Sequence, residues 1–556
     1  MLTIVEGSQI DRLPIEILSV EKGFFAKSDL IWARGTGPIM AHSGAAQGMS
    51  GSPVYVDGRL IGALAYVLPY SKDPLFGVTP IAQMLAVWDH DMTVGPRSRR
   101  PRTRQMGFAP FVAPSGQVDV GRRRDSTEFD AVPPGVIRDF PSLDRSRSAQ
   151  MQQLQVPVAM RGVAVGAMEA LGSLFRGGAL RPLASVGGGG GVDVDAPVTP
   201  GSTIGVEYIR GDISMYAFGT VTYRDGGRIL AFGHPAFGRG DSYLPLSSGF
   251  VHFLVADQIM SYKNGSPSRV VGTLTQDREA AIAGVIGDEH PPFLPLVVTV
   301  TSGDDAAREY TYEVMRHPLY SGGLARTAVW STLDSAEKTG GDHTVRTKAT
   351  VTFDAESGHK PLVKTNVMSG TFAPGLAAST ALSSVSSILN NWYDEIPIER
   401  IDLDVEFGDA RQAAAITSAR ITKQRVRPGD SVDVAVTFRP YLDEPVVKSY
   451  SVAIPPDAPE GFTMAFVGDE NSYLSWERTR ATKKYQPSNA EQLLELLAQG
   501  GGGDRLMISL VSSKMGVAVA AFAFLPYCQS MGANVTADSF TAGMRPGLIA
   551  LLTLLG

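Results

Sequence analysis

A short glycine-flanked segment near the N-terminus restricts the local backbone more than any other part of this sequence. It reads Gly48-Met49-Ser50-Gly51-Ser52-Pro53. Glycine reaches backbone conformations that other residues rarely adopt, and proline stops the segment from continuing as a helix. Asp57-Gly58 follows between two apolar runs, which is a strong signal for a β-hairpin. The sequence therefore predicts a tight turn that presents Ser50 and leads directly into a hairpin.

Length and composition predict a mainly β protein with several domains. The chain has 556 residues, too many for one hydrophobic core. Glycine (60) and proline (36) are frequent, and apolar and polar residues alternate in short runs, as in strands. The net charge of −6 gives no reason to expect a nucleic acid partner. No apolar stretch reaches the roughly 18 residues of a membrane-spanning helix, so no transmembrane segment is expected.

Two stretches in the first half of the chain, one rich in arginine and one rich in glycine, are best interpreted as linkers. Arginines are clustered at Arg97–Arg104 and again at Arg122–Arg124, and no aromatic residue is interleaved within either cluster, so a solvated linker is favoured over an anionic partner. The run Gly187 to Gly191 lacks the lysine and Ser/Thr of a phosphate-binding loop. We therefore expect no cofactor, and no metal-ligand motif is recognised.

The N-terminus carries no recognisable targeting signal. Met1 to Val5 is predicted to be a strand, and no basic region followed by an apolar core precedes it. An exported or cell-envelope protein would need a signal upstream of this sequence, so the localisation stays open. The single cysteine, Cys528, excludes an internal disulfide but does not decide the compartment.

A serine nucleophile needs a general base, and eight histidines are available. His234 differs from the others in context, because an apolar strand ends in Gly233-His234-Pro235 and places the ring at a strand-end turn. A purely structural role for His234 is the alternative. His42, eight residues before Ser50, is a second and weaker candidate for the base.

The Gly-x-Ser-Gly-x-Pro turn is also how trypsin-like serine peptidases present their nucleophile. In that arrangement the main-chain N–H groups of Gly48 and Ser50 form the oxyanion hole. The chain more specifically resembles the SpoIVB-type serine peptidases, serine peptidase family fifty-five, whose founding members act in bacterial spore formation. The segments that carry this resemblance are Met1–Gly7, Leu13–Ile17 and Gln47–Tyr66 for the serine half, and Gly219–Tyr223, Ala231–His234 and Val270–Gly284 for the histidine half.

The resemblance implies a trypsin-like double β-barrel in which Ser50 is the nucleophile and His234 the base. The serine half comes first here, whereas the histidine half comes first in the sporulation peptidases. The family's aspartate, about fifteen residues before the serine, would fall at Gly35-Thr36-Gly37, and no Asp or Glu occurs between Asp29 and Asp57. Asp241 and Asp277 are candidates for the missing acid, whose loss in such a triad costs about four orders of magnitude in rate.

We therefore expect a serine endopeptidase that acts on a protein or peptide substrate, with an unknown oligomeric state. The alternative is a catalytically degenerate peptidase-like scaffold or an envelope binding protein. The expected domains are a serine half-barrel (1–90), a basic and glycine-rich linker with a helical segment (91–195), a histidine half-barrel (196–300), a mixed α/β segment (301–410), a β-sandwich-like, immunoglobulin-like segment (411–465) and a C-terminal α+β segment (466–556).

Overall fold

The structure is a computed structural model that divides into two compact units. Among the described residues, the first comprises those up to residue 95, those from 151 to 295 and Thr311–Ser331, and the second comprises Leu296–Tyr310 and those from residue 332 onward. The residues that the structure describes are 1–25, 28–68, 71–95, 151–174, 180–184, 196–303, 305–336, 341–458, 460–500, 503–512, 533–535, 541–542 and 548–554.

Strands dominate both units. Up to residue 286 they are β1 (Leu2–Thr3), β2 (Asp11–Arg12), β3 (Ile15–Phe25), β4 (Ser28–Gly35), β5 (Pro53–Val56), β6 (Arg59–Val67), β7 (Leu75–Pro80), β8 (Gln152–Gln153), β9 (Val156–Arg161), β10 (Leu180–Ala184), β11 (Thr203–Gly211), β12 (Ser214–Asp225), β13 (Arg228–Ala231), β14 (Gly240–Val255), β15 (Tyr262–Arg278) and β16 (Ala281–Ile286). Beyond it they are β17 (Phe293–Ser302), β18 (Arg308–Met315), β19 (His343–Phe353), β20 (Leu362–Gly370), β21 (Ile398–Gly408), β22 (Ala413–Ile421), β23 (Arg425–Val426), β24 (Ser431–Pro440), β25 (Val446–Ala453), β26 (Gly461–Asp469), β27 (Leu506–Ser512), β28 (Ala533–Val535), β29 (Thr541–Ala542) and β30 (Leu548–Leu554).

The helices are short and connect or flank these strands. They are α1 (Pro38–Ser43), α2 (Ile81–Leu85), α3 (Val165–Leu174), α4 (Ser321–Ala336), α5 (Ala373–Ala381), α6 (Ser383–Leu389), α7 (Glu470–Arg480) and α8 (Ala490–Ala498). Among the described residues, no helix is both long and apolar enough to cross a membrane.

The first unit begins with a curled six-stranded sheet. Its strand order is β3-β4-β7-β6-β5, and β8 pairs with β6. The β5–β6 hairpin turns at Asp57 and Gly58, which both have positive φ, and Val56 pairs with Arg59. This is the two-residue turn that Asp-Gly favours, so the hairpin predicted after the serine turn is confirmed.

Strands β11 to β16 of the same unit pair in a closed ring. The order is β12-β13-β16-β15-β14-β11, and a further pairing of β11 with β12 closes it. The parallel pair β9–β10 extends this sheet beyond β12. A shared apolar core packs the curled sheet and α2 against this ring, and it includes Ala63, Met84, Leu230 and Ala283. The serine turn and the strand that leads to His234 are thus built into one packed unit.

The second unit contains three groups of strands. One has the order β17-β21-β19-β20. The other two, β25-β24-β22-β29 and β23-β30-β26-β27-β28, share one core whose members include Val434, Val436, Val467 and Ile508. Two sheets on a common core form a β-sandwich, and this one takes strands from well beyond residue 465.

The mainly β class expected from the sequence is confirmed, whereas the double barrel is not established. The curled sheet has no pairing between its terminal strands β3 and β5 in the described part of the chain. The range 91–195, expected to be a linker, supplies strands β8 to β10 around helix α3. Strand β8 has only two residues, and β9 is apolar up to its last residue, Arg161, so neither shows the alternation that marks a strand in sequence. The arginines between Arg97 and Arg124 and the Gly187–Gly191 run lie outside the described residues.

Candidate functional site

The Ser50 turn is a buried loop shaped by two glycines. Gly48 and Gly51 both have φ of +90°, a conformation that favours glycine. The turn is closed by hydrogen bonds from Met49 N to Ala46 O and from Ser52 N to Met49 O, each of 2.9 Å. Ser52 Oγ also donates to Met49 O at 2.6 Å. Local hydrogen bonding therefore fixes the backbone on both sides of Ser50.

Two main-chain donors of this turn are left unused. The N–H groups of Gly48 and Ser50 form no hydrogen bond to another described residue. A pair of unused donors at a serine is what an oxyanion hole requires. Met49 between them is fully buried and belongs to the core of the curled sheet, so its side chain serves packing.

The turn docks directly onto strand β12 of the ring. Thr220 N donates to Ser50 O at 2.8 Å, and Thr220 Oγ1 donates to Gly48 O at 3.0 Å. Thr222 Oγ1 donates to Gly51 O at 2.7 Å. A Cβ at Gly51 would overlap the Thr220 carbonyl oxygen, so only glycine permits this approach. These contacts join the two segments that the sequence analysis treated as separate halves.

His234 is presented by an unusual turn after strand β13. Phe232 and Gly233 have φ of +70° and +71°, and such a conformation is rare for a phenylalanine. Gly233 O accepts a hydrogen bond from Thr79 Oγ1 at 2.7 Å, which ties the turn to β7. Non-glycine residues with positive φ are frequent at functional sites. The backbone strain at Phe232 therefore supports a functional role for the turn that presents His234.

The residue after Ser50 and the residue before His234 lie against the same residue of β6. Gly51 N donates to Leu64 O at 2.8 Å, and a Cβ at Gly233 would lie 3.4 Å from that same oxygen. Both side chains are fully buried, and Ser50 Oγ and His234 Nε2 have no hydrogen-bond partner, so the two atoms do not bond to each other. Burial lowers the pKa of His234 to about 4. The imidazole is therefore neutral at neutral pH, as a general base must be.

The other nitrogen of the ring faces an amide instead of a carboxylate. Gln153 Nε2 lies 2.8 Å from His234 Nδ1 and donates to Pro235 O at 3.1 Å. Pro235 O is itself 2.8 Å from Nδ1. Gln153 is held in place because β8 pairs with β6, with Tyr66 opposite Gln153.

The two aspartates proposed as the acid have other partners. Asp277 is buried, and its carboxylate accepts the main-chain N–H groups of Ala236 at 2.8 Å and Phe237 at 2.7 Å. Burial raises the pKa of Asp277, and these hydrogen bonds oppose the rise. Asp241 is half exposed and pairs with Arg278 at 2.9 Å. Asp277 therefore supports the loop that follows His234.

Two of the three positions at which the family's aspartate would fall, Gly35 and Gly37, are packed against apolar side chains, whereas Thr36 between them is exposed. A Cβ at Gly35 would overlap the side chain of Met40, and a Cβ at Gly37 would lie 2.7 Å from Pro14 Cγ. An acidic side chain at either position would have to displace this packing. His42, the weaker candidate for the base, is exposed on helix α1.

A buried lysine packs beneath the serine turn. Lys263 on β15 is 1% exposed, and its Nζ donates to Thr3 Oγ1 at 2.7 Å. A Cβ at Gly48 would lie 3.2 Å from the Lys263 side chain, and Lys263 N donates to Gln47 O at 2.9 Å. Burial lowers the pKa of Lys263 to about 7.

Sequence reasoning missed both Gln153 and Lys263. Gln153 comes from the range expected to be a linker, and only the pairing of β8 with β6 holds it next to His234. Lys263 is one lysine in a long strand without a motif. In the described part of the chain, no group of three or more His, Cys, Asp or Glu residues could hold a metal ion.

Comparison with known protein families identifies the N-terminal segment. Residues 1–85 match the family model described as SpoIVB peptidase S55. The match includes Ser50 and ends well before His234, so it does not address the order of the two halves. The comparisons with curated proteins and with solved structures gave no match. The chain thus contains a SpoIVB-type S55 domain over residues 1–85, and such a peptidase family implies a protein substrate.

Proposed function

We propose that this protein is a serine endopeptidase of the SpoIVB type, with Ser50 as nucleophile and His234 as general base. In this proposal the serine and histidine halves occur in reversed order and assemble a trypsin-like cleft. The observation that carries it is that Ser50 and His234 belong to one compact unit and that each has a buried side-chain atom without a hydrogen-bond partner. Buried polar atoms are normally paired, so each exception needs an explanation, and a catalytic role is one such explanation.

The reaction follows from the atoms at the site. Ser50 Oγ attacks the scissile carbonyl, and its proton passes to His234 Nε2. The N–H groups of Gly48 and Ser50 stabilise the negative charge on the carbonyl oxygen. His234 then returns the proton to the departing amine, which leaves an ester on Ser50. Water hydrolyses this ester by the same proton transfers in the second half of the reaction.

A catalytically degenerate scaffold is the second candidate, and a specific observation favours it. No carboxylate faces His234 Nδ1, where Gln153 and Pro235 O are found instead. At the positions expected for the family's acid the chain has Gly35, Thr36 and Gly37, and the two glycines pack against Met40 and Pro14. In this case the unit would bind a protein partner without cleaving it.

Cleavage of fluorescently labelled casein by the full-length protein, in long incubations, separates the two candidates. The peptidase proposal predicts slow cleavage that falls about 10²-fold in Ser50→Ala, because a site without the acid has already lost most of the triad's effect. Ser509→Ala is the matched control, because Ser509 is also fully buried with an unpartnered hydroxyl but lies in the second unit. Activity that is equal in Ser50→Ala, or no cleavage by folded wild type, would contradict the proposal.

A further inference from the structure

The hydroxyl of Ser50 and the ring of Phe232 meet at one glycine of β12. A Cβ at Gly219 would lie 2.8 Å from Ser50 Oγ and 2.7 Å from Phe232 Cδ1. Ser50 and Phe232 are both 0% exposed, and Gly219 is buried as well. Because Gly219 has no side chain, the hydroxyl and the ring can share this place on the strand. The ring of Phe232 is therefore a wall of the Ser50 site.

The main chain of Phe232 packs against the residue that follows Ser50. A Cβ at Gly51 would overlap Phe232 N and would lie 2.9 Å from Phe232 Cα. Phe232 N also donates to Thr220 O at 3.3 Å, next to the hydrogen bond from Thr220 N to Ser50 O. The ring is thus held beside Ser50 by contacts of its own backbone with the serine turn and with β12.

This closed arrangement leaves no room for a peptide at Ser50. A scissile carbonyl has to come within about 3 to 3.5 Å of the attacking oxygen. Ser50 and His234 are both fully buried, and their reacting atoms are not bonded to each other. A wall of the site must therefore move before a substrate binds.

Phe232 is the wall that is best placed to move. It lies just beyond the end of β13 with φ of +70°, a conformation that costs a phenylalanine free energy. The chain that follows is exposed at residues 238–239. Gly219, by contrast, is paired with Ile204 inside the ring of strands. A change of φ at Phe232 to a negative value releases the strain and takes the side chain away from Ser50.

We infer that Phe232 is a gate: its ring holds the Ser50 site closed, and a substrate reaches Ser50 when the turn from Phe232 to His234 moves. Only Gly233, with φ of +71°, separates Phe232 from His234. The movement that withdraws the ring therefore also shifts the imidazole, so opening of the site and placement of the base are coupled. The inference rests on the proposed function for this catalytic consequence, whereas access to position 50 can be measured without it.

Access to position 50 is measured with a thiol at that position. The parent protein is the full-length chain with Ser50→Cys and Cys528→Ala, and the readout is its rate of alkylation by iodoacetamide under native conditions. Phe232→Leu and Phe232→Ala are added to shorten the gate, and the leucine variant keeps the test available if the alanine variant does not fold. Phe293→Leu is the matched control, because Phe293 is also buried in the first unit but packs against Arg210.

The gate predicts slow alkylation of the parent and a rate about 10-fold or more higher in the Phe232 variants, because loss of the ring's packing raises the open population. Phe293→Leu should be alkylated at the parent's rate. Ser19→Cys in the same Cys528→Ala background gives the rate of an exposed thiol. The inference is overturned if the parent is alkylated as fast as Ser19→Cys, if the folded Phe232 variants match the parent, or if Phe293→Leu shows the same rise.

Fluorophosphonate labelling of the chain with Ser50 intact separates the inference from the proposed function. If both hold, Phe232→Leu is expected to label about 10-fold faster than wild type, and Phe293→Leu at the wild-type rate. Labelling that depends on Ser50, together with equal alkylation of the parent and the folded Phe232 variants, overturns the gate and leaves the proposed function standing. Faster alkylation in the Phe232 variants, with no labelling of Ser50 in any protein, supports the gate and contradicts the proposed function.

Discussion

Each buried polar atom without a partner costs the folded protein free energy, and both Ser50 Oγ and His234 Nε2 are such atoms. His234 adds a second cost, because its burial disfavours the imidazolium form. Lys263 adds a third for the same reason. Lys263 packs against the serine turn, and all three residues belong to the first unit. Titratable groups whose pKa is perturbed by burial are frequent at functional sites.

Burial of His234 makes stability depend on pH in a defined window. The unfolded chain takes up the proton near pH 6.5, whereas the folded protein does so only near pH 4. The free energy of unfolding is therefore expected to fall as the pH drops through this window. Between pH 7 and pH 4.5, wild type should lose about 2 to 3 kcal/mol more than His234→Gln in urea unfolding. Equal losses in the two proteins would show that His234 is not buried in the neutral form.

Burial of Lys263 makes the stability of the protein depend on pH in the alkaline range. Burial lowers the pKa of Lys263 to about 7 in the folded protein, whereas the ordinary value is 10.5. Between these two pH values the unfolded chain binds the proton more tightly than the folded protein, so the buried amine destabilises the folded state there. Wild type should gain stability relative to Lys263→Met as the pH rises from 7 to 10. The free energy of unfolding of both proteins, measured across that range, checks this. A difference that is independent of pH would contradict the burial of a titrating amine.

At the scale of elements, the candidate site depends on strands that approach at glycines. The sequence identified Gly48, Gly51 and the Asp57-Gly58 hairpin, because these signals are local and glycine has few other reasons to recur at such spacings. It did not predict that β12 would accept the serine turn, since the partners are about 170 residues apart. Nor could it predict β8, whose two residues carry no periodic pattern. The local turns could be predicted from the sequence, whereas the pairing of segments distant in sequence could not.

The docking of the serine turn onto β12 can be tested with a pair of glycines. Both Gly51 and Gly58 have positive φ, but a Cβ at Gly51 would overlap Thr220 O, while a Cβ at Gly58 meets nothing within 4 Å. Gly58→Ala should cost about 1 kcal/mol from backbone strain alone. Gly51→Ala should cost more than about 3 kcal/mol, because main chain has to move. Similar urea midpoints for the two variants would contradict this docking.

At the scale of the whole molecule, the mainly β class and the histidine at a strand-end turn were predictable from the sequence. The residue that faces His234 Nδ1, Gln153, was not predictable from the sequence. The aspartates after His234 looked suitable by chain position, yet Asp277 binds the loop backbone and Asp241 binds an arginine. Gln153 reaches the ring from a segment without any catalytic motif. The sandwich of the second unit likewise draws strands from beyond residue 465, because its common core is formed by residues distant in sequence.

The most direct test of the central claim is to map the site of fluorophosphonate modification in the folded, full-length protein by mass spectrometry. We expect one slowly formed adduct, on the peptide that contains Ser50, and we expect it to be absent in Ser50→Ala. It should be strongly reduced in His234→Ala and unchanged in Ser509→Ala. No adduct on the folded wild type, or an adduct on another serine with Ser50 unmodified, would contradict the assignment of Ser50 as a nucleophile activated by His234.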